Sequence, residues 1–301
     1  MSGFRPRKLK PLEISRKTLF ECPTLQIGLF EARPRSDACG DVERQDRNAI
    51  VLPLSGIFSK HDAPGRHVVG TPSHAVFFAA DAPYRIGFPG GIGDRAISLR
   101  FREELTPEWL DPRSNGEALK PNALLPAGAM MLRNLLWLRL ARSEADEFEA
   151  EALGLDLLSL SLKSVRSNGP ALRPQSQARR TRALERIKEA VALAPSRKWN
   201  VARLAEVANL SPFHLCHVFR ETVGTSIYDY VLHERLAQTL DAVLDCEDDL
   251  TTIALDAGFT SHSHFTARFR AFFGCTPGAL RRTAKAAEIA ELRKIVTARR
   301  H

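Results

Sequence analysis

L-A-E-V-A-N-L-S-P-F-H-L-C-H-V-F-R-E-T-V-G-T-S, residues 204–226, and I-A-L-D-A-G-F-T-S-H-S-H-F-T-A-R-F-R-A-F-F-G-C-T-P, residues 253–277, are two renderings of one pattern. At an offset of 50 residues, Ser211, Leu215, Phe219, Arg220, Gly224 and Ser226 fall on Ser261, Phe265, Phe269, Arg270, Gly274 and Thr276. Agreement in identity or chemical type at a single offset marks an internal duplication. Each copy has the same physical reading. Ser211 and Ser261 are N-caps, whose side-chain oxygens accept from free amides of a helix's first turn. Pro212 suits the first helical position. Leu215 and Phe219, like Phe265 and Phe269, lie four apart and share one face. Gly224 and Gly274 are helix stops.

A short apolar helix precedes each copy, Val201–Ala208 and Leu250–Ala257, and ends at Asn209 or Gly258, residue types that tolerate positive φ. Ala205 and Ala254 sit four positions earlier, where two helices must approach closely. Short helix, tight turn and second capped helix predict helix-turn-helix units over 201–222 and 250–273. An ordinary αα-hairpin is the alternative for one copy; two copies in a basic region weigh against it. Between them, Ser226 to Leu244 holds a helical period without Gly or Pro. Its 19 residues span about 28 Å at ~1.5 Å each. Successive major-groove faces on one side of B-DNA lie about 34 Å apart, so such a rod can set two recognition helices in consecutive grooves.

These residues resemble the DNA-binding domain of AraC/XylS-type bacterial transcription regulators over roughly 182–283, above all in A-x-x-x-G-F followed by F-x-x-x-F-[KR]-x-x-x-G-x-T-P. The resemblance implies a two-motif, all-helical reader of promoter double-stranded DNA that works with RNA polymerase. It also implies an N-terminal cupin-like barrel for a small-molecule effector, followed by helices that dimerise. The family's base-reading positions fall on Phe213, Cys216 and His217 in the first motif, and on His262, Ser263, His264 and Ala267 in the second. Neither Arg nor Gln stands at Phe213, Cys216 or His217, so bidentate readout of guanine or adenine is not available there. Phe213 can meet thymine methyls and His217 can form one hydrogen bond; Cys216 can equally be a small packing residue. His262 and His264 can donate to bases or phosphates, or simply cap and face solvent. Arg220 and Arg270 are phosphate contacts, and Arg235 resembles a structural position of the family.

The rest of the chain sets the frame. Of 301 residues, 44% are hydrophobic and 26% charged, ordinary globular values that suggest two domains and exclude global disorder. The formal charge is +8, and residues 171–301 carry 20 of the 43 basic but only 14 of the 35 acidic side chains. The C-terminal part is the better partner for a polyanion. Five dispersed cysteines without C-x-x-C support neither a disulfide framework nor structural zinc. No apolar stretch is long enough for a signal or a bilayer span, so a cytoplasmic location without membrane contact is expected.

Residues 1–18 read as a flexible basic arm and 19–166 as the effector-binding and dimerisation domain. Within the latter, Leu25, Ile27 and Leu29 alternate, as do Ile97, Leu99 and Phe101, while Ala49–Leu54 and Ala75–Ala79 are short apolar runs. Turn residues at 62–65, 70–72, 81–83 and 89–91 separate them and predict a small antiparallel barrel or sandwich. Two helices follow. The first carries Met131, Leu135 and Leu138; the second, capped by Ser143, carries Phe148, Ala152, Leu155, Leu158 and Leu162, and packs within the chain or against a second copy. Residues 167–181 read as a linker and 284–301 as a C-terminal basic helix. The fold class is α+β, a cupin-like β-barrel with accessory helices ahead of the all-α domain.

An enzyme is not expected. His61, His67 and His74 lack the H-x-H of a cupin metal site, and no nucleophile elbow, phosphate loop or dinucleotide fingerprint occurs, so no cofactor or metal is assigned. His67, Arg85, Arg95 and Arg100 are candidates for lining an effector pocket, or are surface charges. The expected function is that of a sequence-specific DNA-binding transcription regulator, an effector-responsive activator reading two successive major grooves. The alternatives are a ligand-independent DNA-binding protein whose barrel only dimerises, and a cupin enzyme with a DNA-binding tail.

Overall fold

The computed structural model describes residues 13–34, 36–63, 66–105, 120–166, 174–245 and 248–285. Among the described residues nine strands come first: β1 (Glu13–Glu21), β2 (Leu25–Arg33), β3 (Asn48–Gly56), β4 (Phe58–Ala63), β5 (Arg66–Gly70), β6 (His74–Phe78), β7 (Arg85–Gly87), β8 (Asp94–Phe101) and β9 (Asn122–Leu124). They pair as a six-stranded sheet, β1-β2-β8-β3-β6-β9, and a three-stranded sheet, β5-β4-β7. The described strands therefore form two sheets rather than one closed barrel, which corrects the barrel half of the expectation. β1 starts at Glu13, inside the stretch read as a mobile arm, because it pairs along β2 from Glu13↔Arg33 to Glu21↔Gln26.

Alternation decides which residues face which layer. Leu25, Ile27, Ile50, Leu52, Ile97, Leu99 and Phe101 lie on one face of the large sheet and are all but fully buried. They are cross-strand neighbours, Leu25↔Phe101 and Ile27↔Leu99 on one side of β8, Ile50↔Leu99 and Leu52↔Ile97 on the other. Phe30, Ala49, Val51, Val76 and Phe78 line the opposite face and pack against Phe58, Val68 and Ile86 of the small sheet.

Helices α1 (Ala127–Ala141) and α2 (Glu147–Val165) cover the first face. α1 buries residues all round, Met130, Leu132 and Arg133 as well as Met131, Leu135 and Leu138, because α2 and the sheet meet one side and the C-terminal helices the other. Its packing is thus internal to the chain. α2 is capped by Asp146, whose carboxylate accepts from Glu149 N at 2.7 Å, not by Ser143. Its buried stripe runs through Ala150, Leu153, Leu157, Ser161 and Val165 besides Leu158 and Leu162, and Phe148 is 82% exposed. The carboxyl oxygen is the better acceptor at an N-cap here because Ser143 is held at φ 53 in the preceding turn.

The C-terminal region is all helix: α3 (Pro174–Leu193), α4 (Val201–Ala208), α5 (Pro212–Val223), α6 (Ile227–Asp245), α7 (Leu250–Asp256), α8 (His262–Phe273) and α9 (Pro277–Lys285). α3 begins within the stretch read as a linker, and 286–301 of the expected C-terminal helix lies outside the described residues.

A buried polar seam joins the two regions. On α6, Glu234 is fully buried and accepts from Thr71 Oγ1 (2.8 Å), Ser73 Oγ (2.5 Å) and Gln238 Nε2 (3.0 Å). Burial raises its carboxyl pKa, opposed by those hydrogen bonds. Arg133 donates to Pro72 O at 2.6 Å and to Asn134 Oδ1, and burial lowers its guanidinium to about 10. On α3, Glu185 accepts from Val69 N (2.7 Å) and from Lys188 Nζ (2.7 Å), and Lys188 also reaches Asn122. Arg95 pairs with Asp241 at 2.5 Å.

Candidate nucleic-acid interface

The two helix-turn-helix units are built by the residues that announced them. Ser211 Oγ accepts from His214 N (3.3 Å) and Ser261 Oγ from His264 N (3.1 Å). Asn209 takes the left-handed conformation at φ 54, and Gly258, Gly224 and Gly274 lie at φ 83, 84 and 87. Gly258 has a second constraint: a Cβ there would stand 2.6 Å from Ser196 Cα. Ala205 and Ala254 are buried where the helices cross, and their carbonyls accept from Leu210 N and Phe259 N, each at 2.9 Å. Those pairs are offset by 49 residues, not 50, so the second turn is one residue longer. The extra residue, Thr260, places its hydroxyl 3.0 Å from His264 Nδ1.

α6 forms the expected spacer, capped by Ser226, whose hydroxyl accepts from Asp229 N at 3.1 Å. Arg235 proves structural: it donates to the carbonyls of Pro195 (2.8 Å), Arg197 (3.0 Å) and Gly258 (3.1 Å). One guanidinium thereby ties the spacer to the segment before α4 and to the turn of the second unit.

Each recognition helix buries one stripe and presents the other. On α5, Leu215, Val218 and Phe219 are buried, while Phe213, Cys216, His217 and Arg220 are exposed. Phe213 is 86% exposed, so its ring contributes nothing to the core. Cys216 is exposed rather than packed. His217 Nε2 lies 3.3 Å from Glu221 Oε1, and Glu221 also meets Arg180 Nη1 at 3.3 Å. On α8, Phe265, Phe269 and Phe273 are buried, while His262, Ser263, Ala267 and Arg270 are exposed. His264 is only half-exposed: it bonds Thr260 and sets its ring 5.6 Å from that of Phe259, so it secures the turn. His262 Nε2 lies 3.5 Å from Thr266 Oγ1.

Two features escaped the sequence reading. Arg268, exposed on α8, stands beside Ala267 and Arg270. On α3, Arg179, Arg180, Arg182 and Arg186 line a cleft of about 470 Å³ with Asn209 and His214, next to the first turn. Their signal was present, since 179, 182 and 186 follow a helical stripe, but a stretch read as linker hid it. The pocket candidates fare differently. Arg100 lines a cavity between the sheets, whereas Arg95 points to the opposite face, onto Asp241 and 5.2 Å over the Trp137 ring. His67 is a cross-strand partner of His61, with stacked rings 5.3 Å apart, and lies 3.8 Å from Glu189. Among the described residues no three His, Cys, Asp or Glu side chains group as metal ligands, and no helix is long and apolar enough to cross a membrane.

Residues 204–283 match the model of a helix-turn-helix domain family. The chain carries an AraC-type helix-turn-helix domain. Similar over that domain are the HTH-type transcriptional regulator MtrA of Neisseria gonorrhoeae, 31% identical over 88 residues, and GlxA of Rhizobium meliloti (strain 1021), 34% identical over 100 residues. The first match takes in 29% of each chain; the second takes in 33% of this chain and 31% of GlxA. The chain thus spans under a third of the length of these relatives. Among solved structures, the C-terminal domain of the response regulator yesN of Fusobacterium nucleatum is 25% identical, covering 33% of this chain and 97% of that one at a TM-score of 0.32. In the AraC-type domain, then, the duplicated units are both present and both leave their second helix open to solvent.

Proposed function

We propose that the chain is a sequence-specific DNA-binding transcription regulator that responds to a small-molecule effector. The observation that carries it is the repeated one: two serine-capped helices, each with a buried aromatic or aliphatic stripe and an exposed polar one, joined by a single helix of 19 residues. In this reading Phe213, Cys216, His217, His262, Ser263 and Ala267 face base edges, while Arg220 and Arg270 meet phosphates. Arg268 and the arginines of α3 extend the phosphate contacts. His264 acts through the turn. RNA polymerase and a second copy of the chain are the further partners it carries, and the N-terminal sandwich is a variant of the cupin-like sensor. Effector response is supported by the hydrogen bonds from Thr71 and Ser73 to Glu234, which tie the sandwich to the spacer between the two readers.

A binding-site selection on the purified chain tests this. The expected product is a site with two half-elements one helical turn apart. Changing His217 or His262 to Ala should relax base preference by about 1–3 kcal/mol per lost contact. Changing Arg220 or Arg270 to Ala should weaken all sequences alike and reduce the salt slope by about one per residue. Failure to enrich any sequence, or an unchanged slope with both arginines removed, overturns the assignment.

A further inference from the structure

The two sheets enclose a cavity of about 320 Å³, lined by Phe30, Val51, Phe58, Phe78, Tyr84 and Ile86 among others. Asp94 also lines it, at the start of β8. Its side chain faces inward by alternation with Ala96, Ser98 and Arg100, and it is 7% exposed. Neither carboxyl oxygen has a hydrogen-bond partner. A buried carboxyl without donors is costly, and the great majority of buried polar groups in folded proteins are paired.

The arginines Arg16 and Arg100 and the nearby Lys60 are engaged elsewhere. Arg16 pairs with Glu43 at 2.8 Å, and Arg100 with Asp46 at 2.5 Å and Gln26 at 3.2 Å. Arg100 is six residues along β8, about 20 Å from Asp94 at ~3.3 Å per residue. Lys60 Nζ does sit 4.9 Å from the Phe78 ring, but its charge is bound to Asp62 at 2.6 Å. One end of the cavity is therefore a buried carboxyl with no hydrogen-bond partner, and the lining combines apolar side chains, Phe30, Val51, Phe58 and Ile86 among them, with polar ones, including the exposed Lys17 and Arg44.

We propose that this cavity binds a small organic amine, its ammonium seated on Asp94 and its apolar body against Phe30 and Phe58. Aromatic faces and one desolvated carboxylate are complementary to an organic cation. A carboxylate ligand would have to keep clear of Asp94 and lie toward the exposed Lys17 and Arg44 instead. Burial alone pushes the Asp94 carboxyl up to about 8. At neutral pH it holds its proton, and an ammonium ion entering from water binds as that proton leaves to solvent. The other ionisable groups along the cavity are Arg16, Lys17, Glu43, Arg44, Tyr84 and Arg100.

This ligand class rests on the effector-responsive reading above, and the test separates the two. Titrate the full chain calorimetrically with 2-phenylethylamine and hexylamine, and with 2-phenylethanol and 3-phenylpropionate as uncharged and anionic matches. The amines should bind, release up to one proton at pH 7, and bind at least tenfold more weakly to Asp94→Asn. Amine affinity for the unaltered chain should rise between pH 6 and pH 8, a measurement that needs no variant. Absence of amine binding, preference for the alcohol or the carboxylate, a flat pH profile, or undiminished binding to D94N each overturns the assignment. Operator binding measured on the same samples separates the causes. Retained DNA binding with no amine response sinks the ligand class alone; lost DNA binding in every sample sinks the regulator.

Discussion

The first and second helix-turn-helix units share a fold but not an attachment. Leu204, Ala205, Leu215, Val218 and Phe219 of the first close on Ala183, Leu184, Ile187 and Val191 of α3 and on Tyr230 of α6. Ile253, Ala254, Phe265, Phe269 and Phe273 of the second continue into α1, α2 and the outer face of the large sheet. The first unit reaches the sandwich through α3, by the polar contacts of Glu185 and Lys188. The second reaches it through apolar packing of α8 and α6 on α1. Hydrophobic contact is non-directional and scales with area, whereas a buried hydrogen bond is all but lost when its geometry fails. A change in the sandwich therefore shifts the second reader by packing and the first by making or breaking polar contacts.

Aromatic truncation should break this comparison most forcefully. Phe219→Ala and Phe269→Ala each remove a fully buried ring and should cost about 3–5 kcal/mol. Hydrogen exchange on the full chain should then differ. Phe219→Ala should expose α3 to α5 and spare the large sheet, while Phe269→Ala should also reduce protection in α1 and α2. The same local pattern for both variants would mean that the units are attached alike.

Glu234 gives the next largest effect and tests the polar seam by itself. Glu234→Ala leaves the hydroxyls of Thr71 and Ser73 without their carboxylate and should cost about 1–3 kcal/mol. Thr71 and Ser73 still have His74 Nδ1 within reach, at 2.8 and 3.0 Å, which softens the loss. Glu234→Gln keeps the volume and should cost less. Because α6 and α8 still pack on α1, urea unfolding should stay a single transition with a lowered midpoint. A split into two transitions would show that the polar seam, not the apolar face, holds the two regions together.

How much of this was legible in the sequence follows from range. The helix-turn-helix units rest on local rules: a serine caps its own helix, a glycine takes positive φ where it stands, and residues four apart share a face. Those readings agree with the structure nearly to the residue. The strands of the sandwich were also legible from alternation at Leu25 to Leu29 and Ile97 to Phe101. Closure was not, because whether β1 and β9 meet depends on pairings across the whole domain. Asp146 displaced Ser143 as a cap for a local reason that residue type alone does not rank, since both are good N-caps. Of the candidate site, the exposed face of α5 followed from the period. The engagement of His264 with Thr260 did not, because it depends on a one-residue insertion visible only when both copies are aligned from the turn. Glu234 and Asp94 were invisible for another reason: a lone carboxylate in a helix or strand looks solvent-facing until the opposing layer is known.

That insertion predicts the smallest difference, between the two caps. Both serines are exposed and each accepts one amide, so removal of either oxygen should cost about 1 kcal/mol. Ser211→Ala should lie at the upper end, since its turn has three residues between the helices and no counterpart of Thr260. Ser261→Ala should lie lower, because Thr260 still holds His264 from 3.0 Å and the His264 ring still rests on Phe259. Urea denaturation of the two variants and of Ser261→Ala combined with Thr260→Val decides it. The combination should lose more than Ser261→Ala alone and approach the loss at Ser211. Equal losses for the single variants, with nothing further from Thr260→Val, would mean that the longer turn adds no brace and that the two units differ only in what lies beneath them.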